Sequence, residues 1–222
     1  MNDFKIPNPL IIDEKYLTRY FEHFDFLFKK KKEIRVLLAF SGGSDSILLL
    51  YLILRYFKGK NRVINIAHIN HNLRDDSFKD EAFVTKVGLE LGISTYIKQL
   101  NPKLKSNDES IESWARKERY KSLSEILIES NSNIILTGHH KNDQVETILK
   151  NISEKTGLFG LGGMKSISKN LIRPLLPFTK IELMRIIDKY KIPYVDDSSN
   201  EELRFKRNFI RKKVLAPWVL ND

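Results

Sequence analysis

The chain has 222 residues, of which 41% are hydrophobic and 30% charged, with a formal net charge of +10 and no cysteine. That length suits one domain with a short appendage, and that composition excludes a disordered or membrane-embedded chain. The lack of cysteine excludes disulfides, thiolate metal sites and sulfur transfer on a protein thiol. The positive charge fits two explanations equally, a lysine-rich solvated surface or a polyanionic partner. The longest apolar run, 47–54, ends at Arg55 and falls far short of the roughly 20 residues a bilayer crossing needs. Residues 1–9 show no basic-then-apolar leader pattern, so a cytosolic location and no membrane contact are expected.

In chain order, residues 1–33 carry no strong period and read as an N-terminal helical arm. An apolar run over 34–40 predicts a buried strand, and 45–57 a helix. Strand 63–69, helix 77–91 and strand 94–97 follow. A long helix over 111–129, a strand over 134–137 and a helix over 142–152 come next. Residues 171–176 read as a further strand, 180–190 as a helix, and the end of the chain as a basic helix. Strand alternating with helix means parallel strands joined by crossover helices, hence an α/β fold with helices on both faces of the sheet. In such sheets ligands sit beyond the carboxyl ends of the strands. The chemistry-bearing residues are therefore expected at 41–46, 68–74 and 138–146.

The first of these is Ser41-Gly42-Gly43-Ser44-Asp45-Ser46, between the first strand and its helix. Two glycines permit a sharp turn and close approach of a ligand. The following helix directs its unpaired amides and positive dipole end at the loop, and Ser41, Ser44 and Ser46 add hydroxyls, so the segment is built to cradle an anion. It is neither a Walker A loop nor a dinucleotide fingerprint. Asp45 has two readings. It is a helix cap, or it is a carboxylate set among phosphates, which requires a mediating cation such as Mg²⁺.

Ser-Gly-Gly-Ser-Asp-Ser after a strand resembles the signature of the PP-loop ATP pyrophosphatases, which cleave ATP between the α- and β-phosphates. Later segments resemble one branch of that superfamily, the tRNA(Ile)-lysidine synthetases. They are His68-Ile69-Asn70-His71-Asn72-Leu73-Arg74, then 111–120 with Glu112, Trp114, Arg116 and Tyr120, then 137–147 with Thr137, Gly138, His139, His140, Asp143 and Glu146. Gly157, Gly160, Gly162, Met164, Arg173-Pro174-Leu175-Leu176, Asp197 to Asn200, and Arg207-Asn208-Phe209-Ile210-Arg211 complete the series. The resemblance runs from about Ile34 to Pro217. It implies a catalytic unit over 34–217 ending in a basic tRNA-contacting helix, with 218–222 as a tail. Position 142 is Asn where many members of the branch carry Asp, so no metal ligation is placed there. Many members also continue beyond the point where this chain ends, which leaves open whether this chain alone selects its tRNA.

The resemblance implies a two-step reaction. The C2 oxygen of cytidine 34, in the CAU anticodon of tRNA(Ile), attacks the α-phosphate of ATP, and the ε-amine of free L-lysine then displaces AMP to form lysidine. On this reading residues 41–46 hold the phosphates, with His68 and His139 beside the nucleotide, and Asp45 binds Mg²⁺. Asp143 and Glu146, three apart on one helix face, take lysine recognition and proton transfer, where the alternative is a solvated helix edge. Arg116 stabilises phosphate charge or contacts the cytidine, against a surface pair with Glu112. His139 and His140 lack the partners of a zinc site. His68 and His71 have packed, hydrogen-bonded histidines as their alternative, and Trp114 is expected in the core. Arg207, Asn208 and Arg211 contact tRNA, or merely end a basic helix. Rival functions are another PP-loop adenylating or tRNA-modifying enzyme, with a thiolase disfavoured by the lack of cysteine, and a non-catalytic nucleotide-binding module.

Overall fold

A computed structural model of the chain describes residues 5–29, 31, 33–60, 62–154, 161–196 and 206–215. Its elements are α1 (Thr18–Phe28), β1 (Arg35–Ala39), α2 (Ser44–Tyr56), β2 (Val63–Asn70), α3 (Ser77–Leu91), β3 (Thr95–Gln99), α4 (Ile111–Glu129), β4 (Ile134–Leu136), α5 (Lys141–Ser153), β5 (Ile167–Ser168), β6 (Leu171–Ile172) and α6 (Lys180–Tyr190). A short helix, α7 (Lys206–Phe209), runs on into a π-helical stretch, Ile210–Leu215.

Among the described residues the strands form one sheet in the order β3-β2-β1-β4-β6-β5, parallel except for the β5–β6 pair. The expected α/β architecture is thus the observed one. Strand alternation distributes the apolar residues between two cores. Val36, Leu38, Ile66, Ile134 and Leu136 pack on one face with α2 and with Phe24, Phe83, Val84, Val87, Leu183 and Ile187. Leu37, Ala67, Ile69 and Ile135 pack on the other with Trp114, Leu123 and Ile126 of α4. Residues Ile47 to Ile53 of α2 are all fully buried, which explains a helix with little polar face: α1, α3 and α6 shield it from solvent. The N-terminal helix α1 shares this core through Phe24, Leu27 and Phe28.

The strand expected over 171–176 is shorter than its apolar pattern. It ends at Ile172, because Pro174 has no N–H to give the ladder and the chain turns there to bury Leu175 beneath the sheet edge. Its antiparallel partner β5 was not foreseen; two residues carry too little pattern to read.

The topology places the site. From β1 the chain moves to β2 and β3 on one side; from β4 it moves to β6 on the other. β1 and β4 are neighbours in register, Val36 opposite Ile134 and Leu38 opposite Leu136. The loops after these two strands therefore leave the sheet side by side at its switch point, where open α/β sheets hold their ligands.

Candidate active site

The loop after β1 turns through Gly42, whose φ of +85° falls in the left-handed region where a side chain is strained. Gly43 is the N-cap of α2. Asp45 is therefore not the cap, and the capping alternative for it fails. The loop is braced internally: Ser46 Oγ donates to Gly43 O at 2.9 Å, Ser41 Oγ lies 3.3 Å from Ser46 Oγ, and Gly43 N donates to Ser41 Oγ at 3.3 Å. Val195 N donates to Gly42 O at 2.9 Å, so the strap after α6 closes over the same turn. The first-turn amides of α2, which have no partner within their own helix, make this a preformed anion cradle.

The loop after β4 lies directly against it. A Cβ on Gly138 would sit 3.2 Å from the carbonyl carbon and oxygen of Asp45 and 3.3 Å from Ser46 N. Glycine there is what lets the two loops touch. Gly138→Ala should displace the first turn of α2 by a few tenths of an ångström and weaken nucleotide binding by roughly tenfold, the scale of sub-ångström misplacement in a site. Titration calorimetry with ATP checks this, and wild-type affinity would show that the contact is slack.

Two basic side chains meet Asp45. Lys180 Nζ donates to Asp45 Oδ1 at 2.6 Å and to Ser44 Oγ at 2.6 Å. His140 Nε2 stands 3.6 Å from Asp45 Oδ2 and 3.5 Å from Asp143 Oδ2. Burial pushes the Asp45 carboxyl up, but the His140 ring and the Lys180 ammonium outweigh it and hold the group below its usual range. The carboxylate and the Ser44 hydroxyl are hard oxygen donors converging on one point, now filled by an ammonium. That donor set fits a divalent cation that also takes phosphate oxygens.

Asp143 and Glu146 do share a face of α5, and it faces inward. Asp143 Oδ2 accepts from His140 N at 2.9 Å, tying the start of α5. Glu146 is fully buried, and Arg211 from the C-terminal helical segment donates to it through Nε at 2.6 Å and Nη2 at 3.2 Å. The solvated-edge alternative for this pair is excluded. The same contact gives Arg211, expected at tRNA, a partner within the chain: its guanidinium is held by Glu146, and its fork geometry suits a carboxylate as well as a phosphate. Asn208, also expected at tRNA, is buried. The side chain of Arg207 and residues Gly157, Gly160 and Asp197 to Asn200 lie outside the described residues.

The remaining candidates fall nearby or elsewhere. His68 is buried on β2, and its Nδ1 donates to Phe40 O at 3.0 Å; burial lowers its pKa despite that bond. His139 Nδ1 lies 2.8 Å from Thr137 Oγ1. Arg116 does not pair with Glu112, whose carboxylate meets Lys150 at 3.3 Å. Its guanidinium lies 5.2 Å from the Tyr120 ring centre. It lines a polar cleft of about 570 Å³ between α4 and α5, with Lys150, Lys165 and Arg173 around it. Burial raises the Tyr120 hydroxyl, but Arg119, Arg116 and Arg173 together bring it below its ordinary value, a sign of concentrated positive charge.

Lys180 was missed. It stands at the head of an ordinary amphipathic helix, and no sequence signal tied it to residues 135 positions away. Asn142, set aside as a ligand, proves to hold that helix: its Oδ1 accepts from Lys180 N at 2.9 Å.

Comparison with known proteins agrees with this geometry. A family model described as "PP-loop domain" matches residues 16–217. A protein of Thermosipho africanus described as tRNA(Ile)-lysidine synthase is 41% identical over 82% of this chain and 43% of its own length. One of Chlorobaculum tepidum with the same description is 38% identical over 81% of this chain and 55% of its own. The chain thus spans about half the length of the curated relatives it matches. Among solved structures, the U34-tRNA thiolase NcsA of Methanococcus maripaludis superposes with a TM-score of 0.72 over 92% of this chain and 75% of that one, at 19% identity. That likeness is one of fold. The matched model, the cradle at the switch point and the relatives together establish that this chain belongs to the PP-loop domain family.

Proposed function

We propose that the chain is the catalytic unit of an ATP-dependent tRNA(Ile)-lysidine synthetase. What carries the reading is the meeting of an anion cradle with an acidic helix at one switch point, in a chain 41% identical over most of its length to a named lysidine synthase. ATP lies with its phosphates on residues 41–46. Asp45 and Ser44 would hold Mg²⁺, which would supply charge neutralisation at the phosphates. His139 and His68 stand at the nucleotide. The C2 oxygen of cytidine 34 attacks the α-phosphate, and Arg116, with the cations of its cleft, steadies the incoming tRNA and its charge. Asp143 and Glu146 bind the ε-ammonium of L-lysine and take its proton, and the amine displaces AMP from C2. The absence of cysteine from the chain leaves no thiol for sulfur transfer of the thiolase kind. No helix among the described residues is long and apolar enough to cross a membrane, and a cytoplasmic site of action belongs to this proposal.

The test is mass spectrometry of tRNA nucleosides after incubation with ATP, Mg²⁺, lysine and a CAU-bearing tRNA(Ile). Lysidine is the expected product. Pyrophosphate release without any cytidine adduct would leave the adenylation chemistry and remove the substrate. Arg207 carries the expected tRNA contact. Arg207→Ala should reduce the log–log salt slope of tRNA binding by roughly one unit and leave ATP binding unchanged. Filter binding across a salt series measures this, and an unchanged slope would free Arg207 of the role.

A further inference from the structure

We propose that Lys180 is a phosphate-positioning residue: an internal cation that occupies the Asp45–Ser44 point in the ligand-free protein and turns to the phosphates of ATP when that point takes a divalent cation. The inference rests on the ATP reading above and names a residue that reading did not use. Its basis is the paired 2.6 Å contacts of Nζ with Asp45 Oδ1 and Ser44 Oγ. An exposed lysine–aspartate pair is worth little, but this one spans two elements and lies inside the anion cradle.

The placement of Lys180 is fixed from behind. Thr179 caps α6, with Thr179 N donating to Glu182 Oε2 at 2.7 Å and Glu182 N to Thr179 Oγ1 at 3.3 Å. Asn142 at the start of α5 accepts from Lys180 N at 2.9 Å. The backbone is therefore anchored to the acidic helix while the flexible four-carbon stem leaves the ammonium free to pivot. A bare carboxylate in the cradle would repel an incoming polyphosphate. With Lys180 on it, the Asp45 carboxylate is neutralised until a metal ion replaces the ammonium. The released ammonium is then within a short swing of the same loop, where its charge meets the phosphate oxygens. No covalent step is involved; two cations exchange places around one carboxylate.

The experiment compares wild type with Lys180→Met, Lys180→Gln and Lys180→Arg. Two readouts need no catalysis: thermal melting with Mg²⁺ alone, and calorimetric affinity for ATP across a Mg²⁺ series. Wild type should melt at nearly the same temperature with or without Mg²⁺, because Lys180 fills the point. Lys180→Met and Lys180→Gln should gain stability from Mg²⁺ and lose ATP affinity by at least about tenfold, the scale of one charge-assisted contact. Lys180→Arg should recover most of the affinity. If one of the neutral variants lowers only the melting temperature and binds ATP like wild type at every Mg²⁺ level, Lys180 is a structural pair and the proposal fails. If wild type itself does not bind ATP, the nucleotide reading fails instead. Should Lys180→Met not fold, Lys180→Gln and Lys180→Arg still decide between these outcomes.

Discussion

Asp45→Asn is expected to reduce ATP-dependent pyrophosphate release by about a hundred- to a thousandfold, the range seen when one preorganised electrostatic partner is lost from a site, with the fold intact. Asparagine keeps the size of the side chain and one acceptor, so the Gly138 contact and the start of α2 survive. What disappears is the negative charge shared by Lys180 and His140, and with it the anchor for a cation between protein and phosphates. Pyrophosphate release and thermal melting should be measured on the same preparations. Wild-type release would reduce Asp45 to a structural partner of Lys180. A pH signature accompanies this. The folded-state pKa of Asp45 is depressed, so its stabilisation is present above the unfolded value and is lost as pH falls through the folded one. Asp45→Asn should therefore flatten the acid side of the stability profile.

Breaking the Glu146–Arg211 pair should give the second large effect, and the two ways of breaking it differ. Arg211→Ala takes a charged donor from a fully buried carboxylate. Breaking a buried pair costs about 3–5 kcal/mol, and the lower end applies here because Arg211 keeps contact with solvent. Glu146→Gln leaves a neutral amide that still accepts from Arg211, so it should destabilise less. The double variant should be more stable than Arg211→Ala alone, since it also removes the buried charge that lost its donor. Function separates along another line. Glu146→Gln should cut lysine transfer by about a hundredfold, as loss of a proton acceptor does, while pyrophosphate release from ATP persists. Denaturant melts check the first set of outcomes; lysidine formation set against pyrophosphate release checks the second. Lost ATP affinity with a normal dependence on lysine would remove Glu146 from amine binding.

Part of the candidate site's architecture was legible in the sequence. The glycine-serine turn between a buried strand and an apolar helix announces an anion cradle, because few other purposes need two glycines and three hydroxyls there. Helices 77–91, 111–129 and 180–190 were readable to the residue, since caps and period mark both ends of a long element. The two-residue strands β5 and β6 were not, because two residues hold no period. Asp143 and Glu146 could be placed on one face from their spacing, but spacing is blind to which way a face points. Only packing showed that it turns inward.

What the sequence determined by itself was local: the order of strands and helices, the cradle, the acidic pair, and family membership through an ordered series of motifs. Those features depend on periodicity, turn chemistry and residue type over a few neighbouring positions. What the tertiary structure alone decided was partnership. β1 lies beside β4 although β2 and β3 intervene in the chain, and this brings Gly138 against Asp45. Lys180 reaches Asp45 across 135 positions and Arg211 reaches Glu146 across 65. A lysine or arginine side chain carries the same charge wherever it stands in the sequence. Which carboxylate it neutralises is settled by where the folded backbone leaves it, and by the cost of leaving a buried charge alone.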